Sequence, residues 1–142
     1  MKSPREVART WFEAVWNERR DELMEQLMAA DAPGHVEGGE LRGPAQFAEM
    51  RATFLGAFPD LKLEVEDIAE DGENAIVRWR FAGSHTGYSE ALGLNPTKAA
   101  VTARGMTWLI VRDGKIVEGW DAWNLGALMN TLQTAATTNA GP

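Results

Sequence analysis

The sequence has no cysteine and only two histidines, His35 and His85, among its 142 residues. The absence of cysteine excludes disulfide bonds, thiolate zinc sites, iron–sulfur clusters and cysteine nucleophiles. Positive charge is also scarce, because 14 Lys and Arg face 21 Asp and Glu and leave a net charge of -7. This sign disfavours binding to a phosphate backbone or to an anionic membrane. We therefore expect neither nucleic acid nor a membrane as a partner.

Long hydrophobic runs are missing as well. No stretch approaches the roughly 18 apolar residues of a membrane span, and the charged N-terminus lacks the apolar run of a secretory signal. A soluble, cytoplasmic protein is the resulting expectation. The length fits a single domain, which we place at residues 1–133, and the composition of residues 134–142 predicts a flexible tail.

Helical signals are concentrated in the first sixty residues. Ser3, followed by Pro4 and by Glu6 three positions after it, is a capping signal for a first helix. We predict three helices in this part of the chain, at about 4–17, 21–28 and 43–58. Between the second and the third, a Gly-rich segment predicts a loop with a short strand.

Alternation of apolar and polar residues predicts β-strands in the second half of the chain. Asp71-Gly72 and Asp113-Gly114 read as hairpin turns of an antiparallel meander, and a final short helix follows Asn124. The expected strands cover about 61–70, 75–85, 101–111 and 116–123. Helices that are separate from hairpins indicate an α+β fold rather than a parallel sheet.

The last two of these strands carry large apolar side chains on both faces. Trp108 lies opposite Leu109, and Trp120 lies opposite Trp123. A curved sheet buries both faces if helices and a pocket fill its concave side and another subunit covers its convex side. We therefore predict a homodimer through the convex face.

Asp121 is the most informative candidate for chemistry. It shares a strand face with Trp123 and follows Trp120, and such apolar surroundings disfavour the charged form of a carboxyl group. The raised pKa that results is the condition for acid–base work near neutral pH. The alternative is an edge-strand aspartate that faces solvent or binds a neighbouring backbone group.

The two histidines are further candidates for acid–base roles. His85 continues the strand face of Trp79 and Phe81 at the start of the loop 86–98, which puts an imidazole near a pocket mouth. A core or hinge histidine is the alternative there, and His35 in the Gly-rich segment is equally ambiguous. Two histidines and a carboxylate could form a metal triad, but they lie in separate segments, so we predict no metal.

Arg104 and Tyr88 complete the polar candidates. Arg104 suits an anionic or carbonyl group, but it shares a strand face with Met106 and Trp108, so an intersubunit ion pair is the alternative. Tyr88 offers a hydroxyl from the loop 86–98, which is long enough for a lid or is merely mobile. Phosphate-loop, serine-hydrolase and zinc-protease motifs are all absent from the sequence.

Seven short segments carry a resemblance to a known family. They are WNER at 16–19, LRGP at 41–44, AFPDL at 57–61, GSHTG at 83–87, NPT at 95–97, DGKIVE at 113–118 and WDAW at 120–123. Together they resemble the SnoaL-like polyketide cyclase family of the NTF2-like superfamily. The resemblance implies a cone in which three N-terminal helices pack on a strongly curved antiparallel sheet, with a short C-terminal helix and a dimer through the convex side.

The resemblance also implies an activity. Cyclases of this family close a ring by intramolecular aldol condensation without metal or cofactor, and their acid–base aspartate falls on Asp121. We therefore expect a cofactor-independent lyase or isomerase that acts on a hydrophobic polyketide or aromatic carbonyl compound. The expected substrate-binding residues are Trp123, Trp79, Phe81, Thr107, Trp16, Tyr88, Arg104 and Phe54. The alternatives are a hydrolase or isomerase that uses the same pocket, and a non-catalytic module that binds a small molecule.

The sequence departs from the anthracycline cyclases of the family at three positions. The resemblance places a His of those enzymes at Thr107, another at Gly119, and an Asn roughly at His35. The hydrogen-bond donors around Asp121 are therefore expected to be arranged differently.

Overall fold

The computed structural model describes residues 2–139. Within them, helices precede and follow a series of strands. The helical elements are α1 (Pro4–Thr10), a π-helical segment (Trp11–Asn17), α2 (Glu22–Leu27), α3 (Gly43–Ala57) and α4 (Leu125–Asn139). The strands are β1 (Pro33–Val36), β2 (Gly39–Arg42), β3 (Lys62–Asp71), β4 (Asn74–Ser84), β5 (Ala100–Arg112) and β6 (Lys115–Trp123).

The six strands form one sheet in the order β2-β1-β6-β5-β4-β3. The pairs are antiparallel except for β1 and β6, which run parallel and pair at Gly34 with Gly119 and at His35 with Trp120. The α+β class is confirmed, but the predicted antiparallel sheet is mixed. The difference arises in the Gly-rich segment, which forms the β1–β2 hairpin because Gly38, with φ of 91°, supplies its tight turn.

The first helix begins as its capping signal predicts. The backbone N–H of Glu6 donates to the Ser3 hydroxyl at 3.2 Å, and Pro4 occupies the first helical turn. After Thr10 the helix widens into the π-helical segment, a type of turn that is frequent at functional sites. The Arg19 guanidinium caps its C-terminal end by donating to the carbonyl oxygens of Trp16 and Asn17, the latter at 3.0 Å. The same guanidinium donates to the carbonyl oxygens of residues 59 and 61 at 3.2 and 2.9 Å.

The two faces of the sheet have different environments. The inner face packs against the helices and carries the buried side chains Leu63, Val77, Trp79, Phe81 and Leu109. On the outer face, Met106, Trp108 and Trp120 keep 52%, 48% and 38% of their surface exposed. The division of large apolar residues between two faces is as expected. The homodimer through the outer face stays a prediction.

The final helix is longer than the sequence predicts. The α4 helix continues through Asn139, so the expected tail from residue 134 is helical as far as 139, and residues 140–142 lie outside the described range. Buried Leu128 and Leu132 anchor the helix to the core. Threonine hydroxyls in this helix, such as that of Thr137, donate to the carbonyl four residues earlier, at 3.0 Å, which satisfies these polar groups within the helix.

None of the helices in residues 2–139 combines the length and the apolar character needed to cross a membrane.

Candidate active site

A cavity of about 70 Å³ lies between the π-helical segment, α3 and the inner face of the sheet. We call it the aromatic chamber. It is lined by Trp11, Phe12, Trp16, Phe47, Met50, Phe54, Leu61, Leu63, Trp79, Phe81, Thr107, Asp121 and Trp123. Among these described residues Asp121 is the one ionisable side chain, so any charge in the chamber is carried by its carboxyl group.

A second cavity of about 50 Å³ adjoins the first on the side of the β1–β2 hairpin. We call it the aliphatic chamber. It shares Trp11, Phe47, Met50, Thr107 and Asp121 with the aromatic chamber. The remaining lining residues are Met28, Ala32, Pro33, Gly34, His35, Val36, Leu41, Leu109, Ile116 and Gly119. Asp121 therefore stands between two apolar spaces of different character.

Strand alternation directs Asp121 inward, on the face that also carries Gly119 and Trp123. Its register partner on β5 is Thr107. The Thr107 hydroxyl donates to Asp121 Oδ1 at 2.7 Å and accepts the indole N–H of Trp79 at 2.9 Å. Because the Thr107 oxygen already accepts from Trp79, its single proton is directed to the carboxylate. This chain of two hydrogen bonds fixes the orientation of the carboxyl group.

The electrostatics of the site favour a protonated carboxyl group. Burial raises the pKa of Asp121 to about 6, the hydrogen bond from Thr107 opposes this rise, and the negative charge of Glu37 adds to it. Glu37 lies in the β1–β2 turn, where its carboxylate accepts the backbone N–H of Trp123 at 3.0 Å. A carboxyl group with this pKa can both accept and return a proton near neutral pH.

Six of the expected substrate-binding side chains meet in the aromatic chamber. They are Trp16, Phe54, Trp79, Phe81, Thr107 and Trp123. The Trp123 ring packs edge-on against Trp79 and Phe54, with centroid distances of 6.0 and 5.9 Å. These six residues, which the sequence analysis selects as substrate-binding, therefore do line the same chamber. Their role in binding a substrate stays a prediction.

His85 does not reach either chamber. Its imidazole is fully buried under the loop 86–98, beside Phe58, and its Nδ1 accepts the backbone N–H of Thr97 at 3.2 Å. Burial also lowers the pKa of His85, which favours a neutral ring. The expectation of an imidazole at a pocket mouth is therefore corrected. His85 anchors the loop, which is the hinge alternative.

His35 points to the outer face, although its residue borders the aliphatic chamber. Its Nε2 lies 2.8 Å from Glu118 and its Nδ1 lies 3.0 Å from Glu40. Because an ionised carboxylate only accepts hydrogen bonds, the protonated ring, in which both nitrogens donate, satisfies both contacts at once. These contacts, with Glu118 first, raise the pKa of His35. The ring also stacks on Trp120. The ring therefore joins β1, β2 and β6 on the outer face and does not point towards Asp121, which corrects the expected catalytic role.

The two histidines also do not meet each other. One is bonded on the outer face of the sheet, and the other is enclosed beneath a loop. Among residues 2–139, no three His, Asp or Glu side chains are grouped as a metal ion would require. The absence of a metal or cofactor stays a prediction.

Arg104 and Tyr88 lie away from Asp121. Arg104 is exposed on the outer face, in register with Arg80 of the neighbouring strand. Strand alternation puts it opposite to Thr107, so the expected substrate contact is corrected, while the intersubunit alternative stays a prediction. Tyr88 is 56% exposed and borders an open groove beside α3 instead of either chamber.

Four residues that line the aromatic chamber are not among the candidates that the sequence predicts. Trp11 and Phe12 of the π-helical segment and Phe47 and Met50 of α3 all line the aromatic chamber. Their helical spacing predicted burial, but it could not distinguish a cavity wall from a filled core. For Glu37, which lies in a turn far from Asp121 in sequence, no local signal existed.

The family model of the SnoaL-like polyketide cyclases matches residues 6–132. The chain belongs to this family. The helices, the sheet and both chambers all fall mainly within the matched range. A search of curated proteins finds no significant match to the chain.

Solved structures of similar proteins support the same fold. A candidate SnoaL-like polyketide cyclase from Jannaschia sp. CCS1 has 22% identity, a TM-score of 0.83, and an alignment covering 98% of this chain and 93% of that one. IdmH, a candidate polyketide cyclase from Streptomyces antibioticus, has 25% identity and a TM-score of 0.80, and the alignment covers 94% of this chain and 99% of that one. AclR, a candidate hydroxylase from Streptomyces galilaeus, has 27% identity and a TM-score of 0.78, and the alignment covers 92% of this chain and 84% of that one. The predicted NTF2-like fold, also called ketosteroid isomerase-like, is thereby confirmed.

Proposed function

We propose that this SnoaL-like chain is a cofactor-independent enzyme in which Asp121 acts as both general base and general acid. The supporting observation is a single carboxyl group, with a pKa of about 6, set in an aromatic chamber. The proposed substrate is a hydrophobic polyketide or aromatic carbonyl compound, since flat rings match walls made of indole and phenyl groups. The proposed reaction is an intramolecular aldol cyclisation.

The proposed reaction needs only proton transfer and positioning. The ionised Asp121 removes a proton from a carbon next to a carbonyl group, and the C–H electron pair becomes the enolate. The enolate carbon then forms a bond to a second carbonyl carbon of the same molecule. The protonated Asp121 returns its proton to the resulting alkoxide, so atoms and charge balance. Holding the two carbons in contact supplies a large part of the rate increase.

The hydrogen bonds around Asp121 fit this role. Thr107 engages Oδ1 at 2.7 Å, so we assign the proton transfer to Oδ2. Trp79 holds Thr107 in turn at 2.9 Å, and both belong to neighbouring strands of the sheet. A base on rigid strands keeps its geometry better than one on a loop.

The size of the aromatic chamber sets a requirement for binding. Pockets for drug-sized ligands typically measure about 300–1,000 Å³, whereas this chamber measures about 70 Å³. A multi-ring substrate therefore requires wall residues to move. The half-buried Met50 and Phe54 of α3 are the side chains that we propose open the chamber.

The proposal is tested with 2-tetralone, an aromatic ketone with an acidic methylene group. Proton exchange at that carbon in D2O, followed by NMR, reads the acid–base step without knowledge of the natural substrate. Asp121→Asn is expected to slow the catalysed exchange by about 10²–10⁴-fold, because it keeps the shape but removes the base.

Asp113→Asn is the matched control, because it removes the same charge from the exposed β5–β6 turn. This variant should exchange 2-tetralone at the wild-type rate. Wild-type exchange in Asp121→Asn would overturn the proposal, and so would no exchange above the buffer rate in the wild-type protein.

A second candidate is a module that binds a small molecule without reaction. The small volume of the aromatic chamber favours it, since about 70 Å³ suits a compact ligand without any movement of the wall. In that case aromatic ketones would raise the melting temperature of the wild-type protein and of Asp121→Asn alike, with no exchange and no product.

A further inference from the structure

We propose that the aliphatic chamber is a second substrate subsite, which takes a short alkyl arm attached to the carbonyl group that Asp121 acts on. This inference rests on the proposed function, because it assigns the part of the substrate that lies beyond Asp121. The ligand class is an aryl alkyl ketone, with its ring in the aromatic chamber and its alkyl arm in the aliphatic chamber.

The aliphatic chamber adjoins the aromatic chamber at the proposed reaction centre. Asp121 and Thr107 line both chambers, so a carbonyl compound bound at Asp121 borders both spaces at once. Beyond the shared residues, the second space is walled by aliphatic side chains such as Leu41, Leu109 and Ile116. A flat ring therefore gains more contact on the first side, and a flexible alkyl group fits the second.

The wall of the aliphatic chamber offers few polar partners to a bound water. A buried water needs about two to four polar partners. The polar side chains of this chamber are Thr107, Asp121 and His35. The hydroxyl of Thr107 is already bonded to Trp79 and Asp121, and the His35 ring is bonded to two glutamates on the outer face. Among these side chains Asp121 is the one left to bind a water, which is fewer than the two to four partners that a buried water needs, so an apolar group suits the chamber better.

Two glycines set the size of the chamber. A Cβ at Gly119 would lie 3.0 Å from the Leu109 methyl group, and a Cβ at Gly34 would lie 2.8 Å from a Leu41 methyl group. Any side chain at these positions would therefore enter the space. The volume of about 50 Å³ is several times the roughly 10–15 Å³ that one water-sized group requires, so it has room for an alkyl arm of a few carbon atoms.

The test measures the binding of acetophenone, propiophenone, butyrophenone and hexanophenone by calorimetry. In the wild-type protein the dissociation constant should fall about fourfold for each methylene group up to butyrophenone, the gain from burying one CH2. Hexanophenone should bind more weakly than butyrophenone, because its arm exceeds the chamber.

Gly119→Val should abolish the gain, so that all four ketones bind about as acetophenone does. Gly119→Ala, which adds one methyl group next to the terminal methyl group of Leu109, should shorten the optimum arm by about one carbon and serves if the valine variant does not fold. Ala122→Val is the matched control on the outer face of the same strand, and it should keep the wild-type series.

A wild-type series without dependence on arm length would overturn the inference, as would an unchanged series in both Gly119 variants or no binding of any ketone. Failure of the proposed function is read separately. If the ketone series behaves as expected but 2-tetralone is not exchanged, the subsite stands as a binding site and the acid–base role falls.

Discussion

The neighbouring strands β1 and β6 carry two ionisable groups that face opposite sides of the sheet, Asp121 on the inner side and His35 on the outer side. Asp121 points inward from β6 among aromatic rings, and burial alone accounts for most of its raised pKa. His35, paired with Trp120 one residue earlier, points outward between Glu40 and Glu118, whose contacts raise its pKa. Burial shifts the inner group towards its neutral form, and the two glutamates shift the outer group towards its charged form. Desolvation therefore dominates the pKa shift on the inner face, and contacts with carboxylates dominate it on the outer face.

Both shifts make the folded protein less stable as pH rises, but over different ranges. Asp121 binds its proton more tightly in the folded state, so its contribution is complete below about pH 4 and is lost as pH rises towards about 6. The contribution of His35 is complete below its ordinary pKa, about 6.5, and is lost only at higher pH. The contributions of Asp121 and His35 to stability can therefore be distinguished by the pH range over which each is lost.

The largest expected difference between the faces is in packing. Trp79→Ala on the inner face should lower the free energy of unfolding by about 3–5 kcal/mol, because it empties a core position and removes the donor to Thr107. Trp108→Ala on the outer face, which is 48% exposed, should cost less, about 1–2 kcal/mol in the monomer, for the half-buried ring and its hydrogen bond to Asn74. It should also weaken the predicted homodimer. Urea unfolding and sedimentation velocity measure the two effects, and equal costs would erase the contrast.

The next effect is a gain of stability. Asp121→Asn cannot ionise, so it avoids the cost of a buried carboxylate. About two pKa units correspond to about 3 kcal/mol, and we expect the variant to be more stable than wild type by about that amount above pH 6. The gain should vanish near pH 4, where both side chains are neutral. Urea unfolding from pH 4 to 8 measures it, with Asp113→Asn as the control, and a gain that does not depend on pH would refute the account.

A smaller effect is expected on the outer face. His35→Gln keeps hydrogen-bonding groups between β1 and its neighbours but has no proton to lose. The decline of stability above about pH 6.5 should therefore flatten in this variant, while the change between pH 4 and 6 stays as in wild type. Thermal melts at closely spaced pH values distinguish the two ranges. An unchanged decline above pH 6.5 would show that His35 is not its source.

The smallest effect concerns the hydrogen bond to Asp121. Thr107→Val removes a contact that lowers the pKa of Asp121, so the pKa should rise further. The midpoint of the pH–rate profile for 2-tetralone exchange should move upward slightly. Thr107→Ser keeps the hydroxyl and should keep the wild-type midpoint, and a downward shift in the valine variant would contradict the assigned role of the bond.

Local patterns predict the inner face of the site well. Alternation along β6 is enough to put Asp121 beside Trp123, and its apolar neighbours indicate the direction of its pKa shift. The capping signal at Ser3 likewise fixes where the first helix begins. In each case the information lies within a few residues of the feature, which is the range over which sequence patterns are reliable.

Features that depend on distant partners could not be predicted. The Gly-rich segment shows no alternation, so neither the hairpin register nor the outward direction of His35 is evident from it. His85 shares a face with Trp79 in the pattern, but the strand ends before it and Thr97 captures its ring. The charge of Glu37 reaches Asp121 only because the turn folds back against the end of β6.

Burial in the aromatic chamber raises the pKa of Asp121, so its carboxyl group keeps a proton up to about pH 6. The most direct test is NMR titration of the Asp121 carboxyl carbon in the intact protein from pH 3 to 8, with Asp121→Asn used to assign the signal. We expect a midpoint of about 6. A midpoint near 4, the ordinary value for an aspartate in water, would contradict it.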